Sequence, residues 1–285
     1  MRLIATLFFA FAMTTAQAEE SRVISADGAI TETIVALGAG AQLAGVDTTS
    51  HYPPEVIAEL PKVGYLRALP VEGILSLKPT RLITTEEAGP EQTLEQIAAA
   101  GVDVVRLPVV RDVTSALARI RRVGELVGQQ DEAKRLTRDI AEEVDTLKQS
   151  MVQKPPARVL ILLAAGDHGV MLGGKDTAAD ALLLSLGLQS ALPDVTGFKP
   201  ASREALLASN PDAIVIAEAR PGQFRPEQWP ELTQLRAWRQ GNRVTANAMM
   251  LLGFGPRLAE AFQTVAAIVP DETVISDAAS ETHAH

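Results

Sequence analysis

Between Asp112 and Lys154 the chain carries no strand-like run, while on either side of that stretch short β-branched runs alternate with amphipathic helical segments. Such alternation is the βαβ pattern of parallel sheets flanked by helices. Expected strands in the first half are Arg22 to Ser25, Leu43 to Val46, Arg81 to Thr84 and Val102 to Arg106. In the second half they are Ala157 to Leu163, Ala213 to Ala217 and Arg243 to Ala246. Within the central stretch Gly128 is a helix stop and Asp131 a restart. A helix from Asp131 to Met151 is ~32 Å long at 1.5 Å per residue, and Pro155-Pro156 ends it. A rigid helix of that length between two α/β halves reads as a strut rather than a loose linker, and it limits hinge closure.

The two halves echo each other. Glu72-Gly73-Ile74-Leu75-Ser76-Leu77-Lys78-Pro79 leads into the strand at Arg81, as Glu204-Ala205-Leu206-Leu207-Ala208-Ser209-Asn210-Pro211 leads into the one at Ala213. Gly38 and Gly187 each stop a helix, but Gly38 lies 34 residues before Glu72 and Gly187 only 17 before Glu204. The first half therefore carries about 17 additional residues. They include His51-Tyr52-Pro53-Pro54 and Val63-Gly64-Tyr65-Leu66-Arg67, and so both tyrosines of the chain.

Composition narrows the chemistry. With 35 acidic against 26 basic side chains and a net charge of -9, the protein repels a phosphate backbone, which argues against nucleic acid as a partner. No cysteine is present, so disulfides, thiolate metal sites and an acylated-cysteine anchor are all excluded for this sequence. At the N-terminus Arg2 precedes an apolar run from Leu3 to Met13 and then Ala16-Gln17-Ala18, the pattern of a cleavable secretory signal. Eleven apolar residues fall well short of the ~20 that span a bilayer as a helix. The expected organisation is a signal peptide (1–18), an N-terminal α/β lobe (19–127), a connecting long helix (128–154), a C-terminal α/β lobe (155–275) and a flexible tail (276–285) bearing His283 and His285. Removal of the leader takes away the charge of Arg2 and leaves -10.

Two motifs are decoys. Gly169-Val170-Met171-Leu172-Gly173-Gly174-Lys175 has the spacing of a phosphate-cradling P-loop, but Asp176 stands where a Ser or Thr hydroxyl must hold Mg²⁺, and it suits a helix N-cap better. Gly38-Ala39-Gly40 lacks the third glycine of a dinucleotide fingerprint and follows a helix. Neither a nucleophile elbow nor a zinc-binding His-Glu-x-x-His appears.

The segment Ser25-x-x-Gly28-x-Ile30-Thr31-Glu32, the helix end Ala36-Leu37-Gly38-Ala39-Gly40, the two Glu…Pro units and the long central helix together resemble the cluster III solute-binding proteins of ABC importers. Within that group the chain is most similar to periplasmic haem-binding proteins. This narrower likeness rests on Val63-Gly64-Tyr65-Leu66-Arg67-x-Leu69-x-x-Glu72-Gly73-Ile74-Leu75-Ser76-Leu77-Lys78-Pro79, with Gly197-Phe198-Lys199 and Gly253-Phe254-Gly255-Pro256-Arg257 in support. The resemblance implies two Rossmann-like lobes joined by one long backbone helix, a monomeric periplasmic receptor rather than an enzyme, and an inner-membrane permease dimer as partner. Its transported ligand is then ferric hemin (haem b), held between the lobes.

Tyrosinate is a hard anionic donor that suits ferric iron, and tyrosine is among the side chains used as axial haem ligands. A free phenol is protonated at neutral pH, so a nearby cation or the ferric ion itself must favour the anion. From composition alone Tyr65 is an aromatic packing residue in a surplus loop; the family resemblance makes it the axial ligand. Arg67 either hydrogen-bonds that phenolate or meets a propionate. Lys199, Arg220, Arg225 and Arg257 are propionate candidates, each equally readable as solvated charge. Phe254 and Met171 are candidates to face the porphyrin, with core packing as the plainer role, and Tyr52 reads as packing. His51 reads as a cap for a helix starting near Pro54, and His168 as a residue that could approach the cleft from the far lobe as a further metal ligand. In the resembling family a pair of glutamates, here Glu72 and Glu204, docks on permease arginines; a carboxylate at a helix N-terminus also gains ~0.3 to 1 kcal/mol by itself. The same fold carrying a ferric siderophore or cobalamin is the nearest alternative, and an exported α/β hydrolytic enzyme using Asp167 and His168 is a more distant one.

Overall fold

The computed structural model describes residues 21–166 and 169–271; the expected leader at 1–18, the tail at 276–285, and Asp167 and His168 lie outside the described residues. The first half contains β1 (Val23–Ala26), α1 (Gly28–Ala36), β2 (Leu43–Val46), α2 (Pro54–Ile57), α3 (Val71–Leu75), β3 (Arg81–Thr85), α4 (Glu91–Ala99), β4 (Asp103–Leu107) and α5 (Val113–Leu126). Its four strands are all parallel, in the order β2-β1-β3-β4. Successive residues of β1 and β3 feed opposite cores. Val23 and Ile83 pack with Ile30 and Ile34 of α1 and Val123 of α5, whereas Ile24 and Leu82 pack with Ile74 of α3 and with Leu94 and Ile97 of α4. A strand covered on both faces has no use for polar alternation, which is why these strands read as continuous apolar runs.

The single long helix α6 (Gln130–Val152) follows, 23 residues against the expected 21. Gly128, with φ 73, separates it from α5 as anticipated. Its buried side chains divide between the halves. Ala133 belongs to a core with β1 and α1, while Ile140, Val144 and Met151 belong to one with the second sheet.

The second half contains β5 (Arg158–Ala164), β6 (Val170–Gly173), α7 (Ala178–Ser185), β7 (Gln189–Ser190), β8 (Phe198–Pro200), α8 (Arg203–Ser209), β9 (Ala213–Glu218), α9 (Arg236–Arg239), β10 (Arg243–Asn247), α10 (Ala248–Leu252) and α11 (Leu258–Ala266). Here β10, β9 and β5 are parallel, and β6 and β8 extend the sheet antiparallel beyond β5. All seven expected strands are present with ends shifted by no more than one residue. The strands β6, β7 and β8 were not anticipated. The first of them occupies the P-loop-like segment, which is therefore a hydrogen-bonded strand rather than a phosphate loop. The cap of α7 is Thr177, whose hydroxyl accepts from the Asp180 amide at 3.2 Å, and not Asp176, which has φ 62.

The two Glu…Pro units share backbone geometry. Each unit reaches its proline through a residue of left-handed φ, Lys78 at 49° three residues past α3 and Asn210 at 35° as the cap of α8. Among the described residues no helix is long and apolar enough to cross a membrane.

Candidate functional site

Ligands of open parallel sheets bind beyond the carboxyl ends of the strands, and both sheets of this protein direct those ends into one cavity of about 940 Å³. Asp27 follows β1, Thr48 and Thr49 follow β2, Thr85 ends β3 and Glu87 follows it, and Val109 to Arg111 follow β4. From the other half, Ala165 and Gly166 follow β5, Ala219 and Arg220 follow β9, and Ala248 and Met249 follow β10. The volume lies within the ~300–1,000 Å³ of small-molecule sites.

Tyr65 lines this cleft with 44% of its surface exposed. Its loop is clamped from both ends. The Val46 amide donates to the Pro61 carbonyl, the Val63 amide to the Val46 carbonyl and the Thr48 amide to the Gly64 carbonyl, each at 2.9 Å. On the far side the Gly89 amide donates to Leu66 and the Leu69 amide to Gly89. Val63, Leu66 and Leu69 are buried in one core, so the segment anchors by those apolar residues and leaves Tyr65 and Arg67 facing out. Gly64, at φ 98, supplies a backbone conformation that a side chain would disfavour.

Cations line the same cleft from both lobes. Arg67 is half-exposed and ion-paired with Glu87. Arg111 and Arg220 are exposed, one from each lobe, and Arg119 is buried. Arg119 donates to the carbonyls of Gly253 and Phe254 at 2.7 and 3.1 Å; burial holds its guanidinium below the usual arginine range, opposed by the charge of Asp27. Burial likewise raises the Asp27 carboxyl. Beneath the floor Asp47 accepts from the Thr49 amide, the Thr49 hydroxyl and the Ser50 hydroxyl, and Ser50 continues to Thr31 and Ser25. Burial pushes the Asp47 carboxyl up to about 6.

Of the residues singled out from sequence, the cleft brings together Tyr65, Arg67, Arg220 and His51. His51 does not cap α2, whose cap is Pro53 without a side-chain bond; its imidazole is held below the ordinary histidine value by burial and then by the charge of Arg220. Five others stand elsewhere. Arg257 is tied to Glu32 at 2.5 and 2.8 Å and lies over the Tyr52 ring at 4.1 Å, so its charge is already matched. Phe254 is fully buried in the second core. Met171 sits inside β6, paired to Leu163 and Pro200 on its two sides, and Lys199 is an exposed residue of β8 outside the cleft wall. The aromatic and thioether that do line the cleft are Phe198 and Met249, beside Leu66, Val109 and Leu252. Arg225 also lies outside the wall. Arg111 and Arg119 escaped the sequence reading; the rule that sites gather just after parallel strands would have pointed to Arg111, four residues past β4. Glu72 and Glu204 are exposed in the first turns of α3 and α8. A hydrogen bond accepted from its own backbone amide, then one from Ser202, holds the Glu204 carboxyl below its ordinary value.

Comparison with known proteins follows the same outline. The periplasmic haem-binding protein RhuT of Roseiflexus sp. RS-1, solved in its apo form, superposes with a TM-score of 0.80 and 32% identity, covering 88% of this chain and 98% of that one. An uncharacterised ABC transporter substrate-binding lipoprotein of Bacillus subtilis, YvrC, is 26% identical over 90% of this chain and 82% of its own length. The vitamin B12-binding protein of Pectobacterium atrosepticum is 28% identical over 88% and 89%. Residues 23–249 match the model of one family of binding and transport proteins, and by that match the chain belongs to the periplasmic binding protein family.

Proposed function

We propose that this protein captures ferric haem in the periplasm and delivers it to the permease of an ABC importer. The observation that carries the reading is the half-exposed phenol of Tyr65, held on a doubly clamped loop at the rim of a cleft bordered by arginines from both lobes. In this reading Tyr65 supplies the axial oxygen to iron, and Arg67, two residues along the same loop, is the cation that favours the phenolate. Arg111 and Arg220 meet the two propionates, whose carboxylates suit planar guanidinium donors. Leu66, Val109, Phe198, Met249 and Leu252 offer apolar surface to the macrocycle. The likeness to RhuT at 32% identity supports haem as the cargo.

The B12-binding relatives favour a second reading, cobalamin in the same cleft. Cobalamin is fringed mainly by neutral amides and leaves the exposed arginines without carboxylate partners, so haem fits this cleft better. Titration with hemin and with cyanocobalamin separates the two. Hemin is expected to give a saturable ferric spectrum with tyrosinate charge-transfer character that Tyr65→Phe abolishes. Saturation by cyanocobalamin alone would overturn the assignment.

Delivery is assigned to the lobe surfaces. Glu72 and Glu204, one exposed carboxylate per lobe, are the proposed contacts to permease arginines. Reversing both charges, Glu72→Arg with Glu204→Arg, is expected to abolish uptake in a reconstituted importer while hemin affinity stays within about twofold, since exposed charges far from the ligand add little to its binding. Loss of hemin affinity in that variant would remove the docking role. Export through a cleaved leader at 1–18 and action as a monomer complete the proposal.

A further inference from the structure

One carboxylate in the cleft has no part in the reading above. Glu87 lies two residues beyond β3, lines the cleft, and forms an ion pair with Arg67. The backbone on both sides of this pair is fixed. Gly89 and Leu66 are joined amide to carbonyl at 3.0 Å, Leu69 donates to Gly89 at 2.9 Å, and Ala88, Leu66 and Leu69 share one buried core. The Glu86 amide donates to the Leu107 carbonyl at 3.0 Å, and the Arg106 guanidinium donates to the Glu86 carbonyl at 3.1 Å. The backbone that carries the carboxylate is thus fixed on both sides, while the two paired side chains are half-exposed. Tyr65 and Arg67 belong to one tight turn, closed by the Ala68 amide donating to the Tyr65 carbonyl at 2.8 Å, and both line the cleft, so the guanidinium that Glu87 holds shares its turn with the phenol.

We propose that Glu87 is the positioning residue for Arg67, holding its guanidinium beside Tyr65 so that the cation stabilises the iron-bound phenolate, while its own negative charge moderates that stabilisation. The inference rests on the haem reading of the cleft. An arginine without this partner would spread over many rotamers and leave the phenolate for part of the time.

The test is hemin titration of the full chain, followed by the visible spectrum as pH is lowered. The proteins compared are wild type, Glu87→Ala, Glu87→Gln, Arg67→Ala and the double variant Arg67→Ala/Glu87→Ala. Partners behind a metal ligand commonly change affinity about 10- to 100-fold. Glu87→Ala is expected to weaken binding about tenfold and to lose the tyrosinate band at a higher pH than wild type. Glu87→Gln keeps an acceptor but no charge; it should restore most of the affinity and hold the band to a pH below that of wild type. In the Arg67→Ala background, Glu87→Ala should change nothing further. Wild-type affinity and an unshifted pH midpoint in Glu87→Ala would overturn the proposal, as would an undiminished loss on top of Arg67→Ala. Failure of wild type to bind hemin at all would overturn the haem reading and this inference with it.

Discussion

Asp47 has no surface exposure, yet it is a carboxyl surrounded by donors. The donors favour the anion and burial opposes it; burial wins, and its pKa rises from the ordinary 3.8 to about 6. A carboxyl that binds its proton more tightly folded than unfolded contributes stability in full below the unfolded value. That contribution is lost as pH rises through the folded value. The window is therefore roughly pH 4 to 6, and at 1.36 kcal/mol per pH unit the loss is on the order of 3 kcal/mol. Urea denaturation of wild type and Asp47→Asn across that window should show the wild-type advantage shrinking as pH rises. A constant difference would mean that Asp47 is ionised throughout. The same polar cluster contains Ser25 and Thr31, which the sequence reading recognised only as part of a family segment. Nothing in their spacing announces a shared hydrogen-bond network with Ser50, because the network closes only when β1, α1 and the turn after β2 meet.

At the scale of elements, α5 and α6 pack closely because Gly124 faces Ala133. A β-carbon at position 124 would run into the Ala133 methyl and come within 3.1 Å of the Gln129 carbonyl oxygen. Gly124→Ala gains about 1 kcal/mol of helix propensity but overpacks a contact worth about 1–3 kcal/mol. The clash is against the backbone capping α6 and a side chain with no rotamer to escape into, so it wins. A net loss of about 1–2 kcal/mol is expected by chemical denaturation; an unchanged or higher midpoint would show that the helices can separate freely. The helices and parallel strands were legible because apolar runs, Gly128 and Pro155-Pro156 punctuate them locally. The short strands β7 and β8 were not, since two or three residues carry no period. The strand β6 was hidden by glycines that mimic a nucleotide loop.

The two lobes meet at more than the long helix. Glu32 of α1 and Arg257 before α11 form a buried bidentate pair across the lobes, with Tyr52 against the guanidinium and Asn247 accepting at 3.2 Å. Arg119 of α5 bonds the Gly253 and Phe254 carbonyls across the same seam. Burial raises the Glu32 carboxyl even so, the Arg257 bond pulling the other way. Removing one member of a buried pair strands the other charge, at a cost of about 3–5 kcal/mol. Glu32→Ala is expected to lose that much in urea denaturation and to speed hydrogen exchange in α10 and at the start of α11. Stability within about 1 kcal/mol of wild type would show that the seam does not join the lobes. A seam tied in this way leaves the cleft largely formed before a ligand arrives, which lowers the ordering cost of binding.

Composition, periodicity and helix punctuation by themselves determined two α/β halves, a connecting helix, an acidic cysteine-free chain and a tyrosine loop present in one half only. These depend on neighbours in sequence, and local forces write them there. Tertiary structure alone decided that Arg257 is used up in a lobe-to-lobe ion pair, that Phe198 and Met249 rather than Phe254 and Met171 face the cleft, that Arg111 lines it too, and that Glu87 pairs with Arg67 of Tyr65's loop. Which side chain reaches a cavity depends on strand register and on contacts between residues as many as 225 positions apart, and no local pattern encodes those.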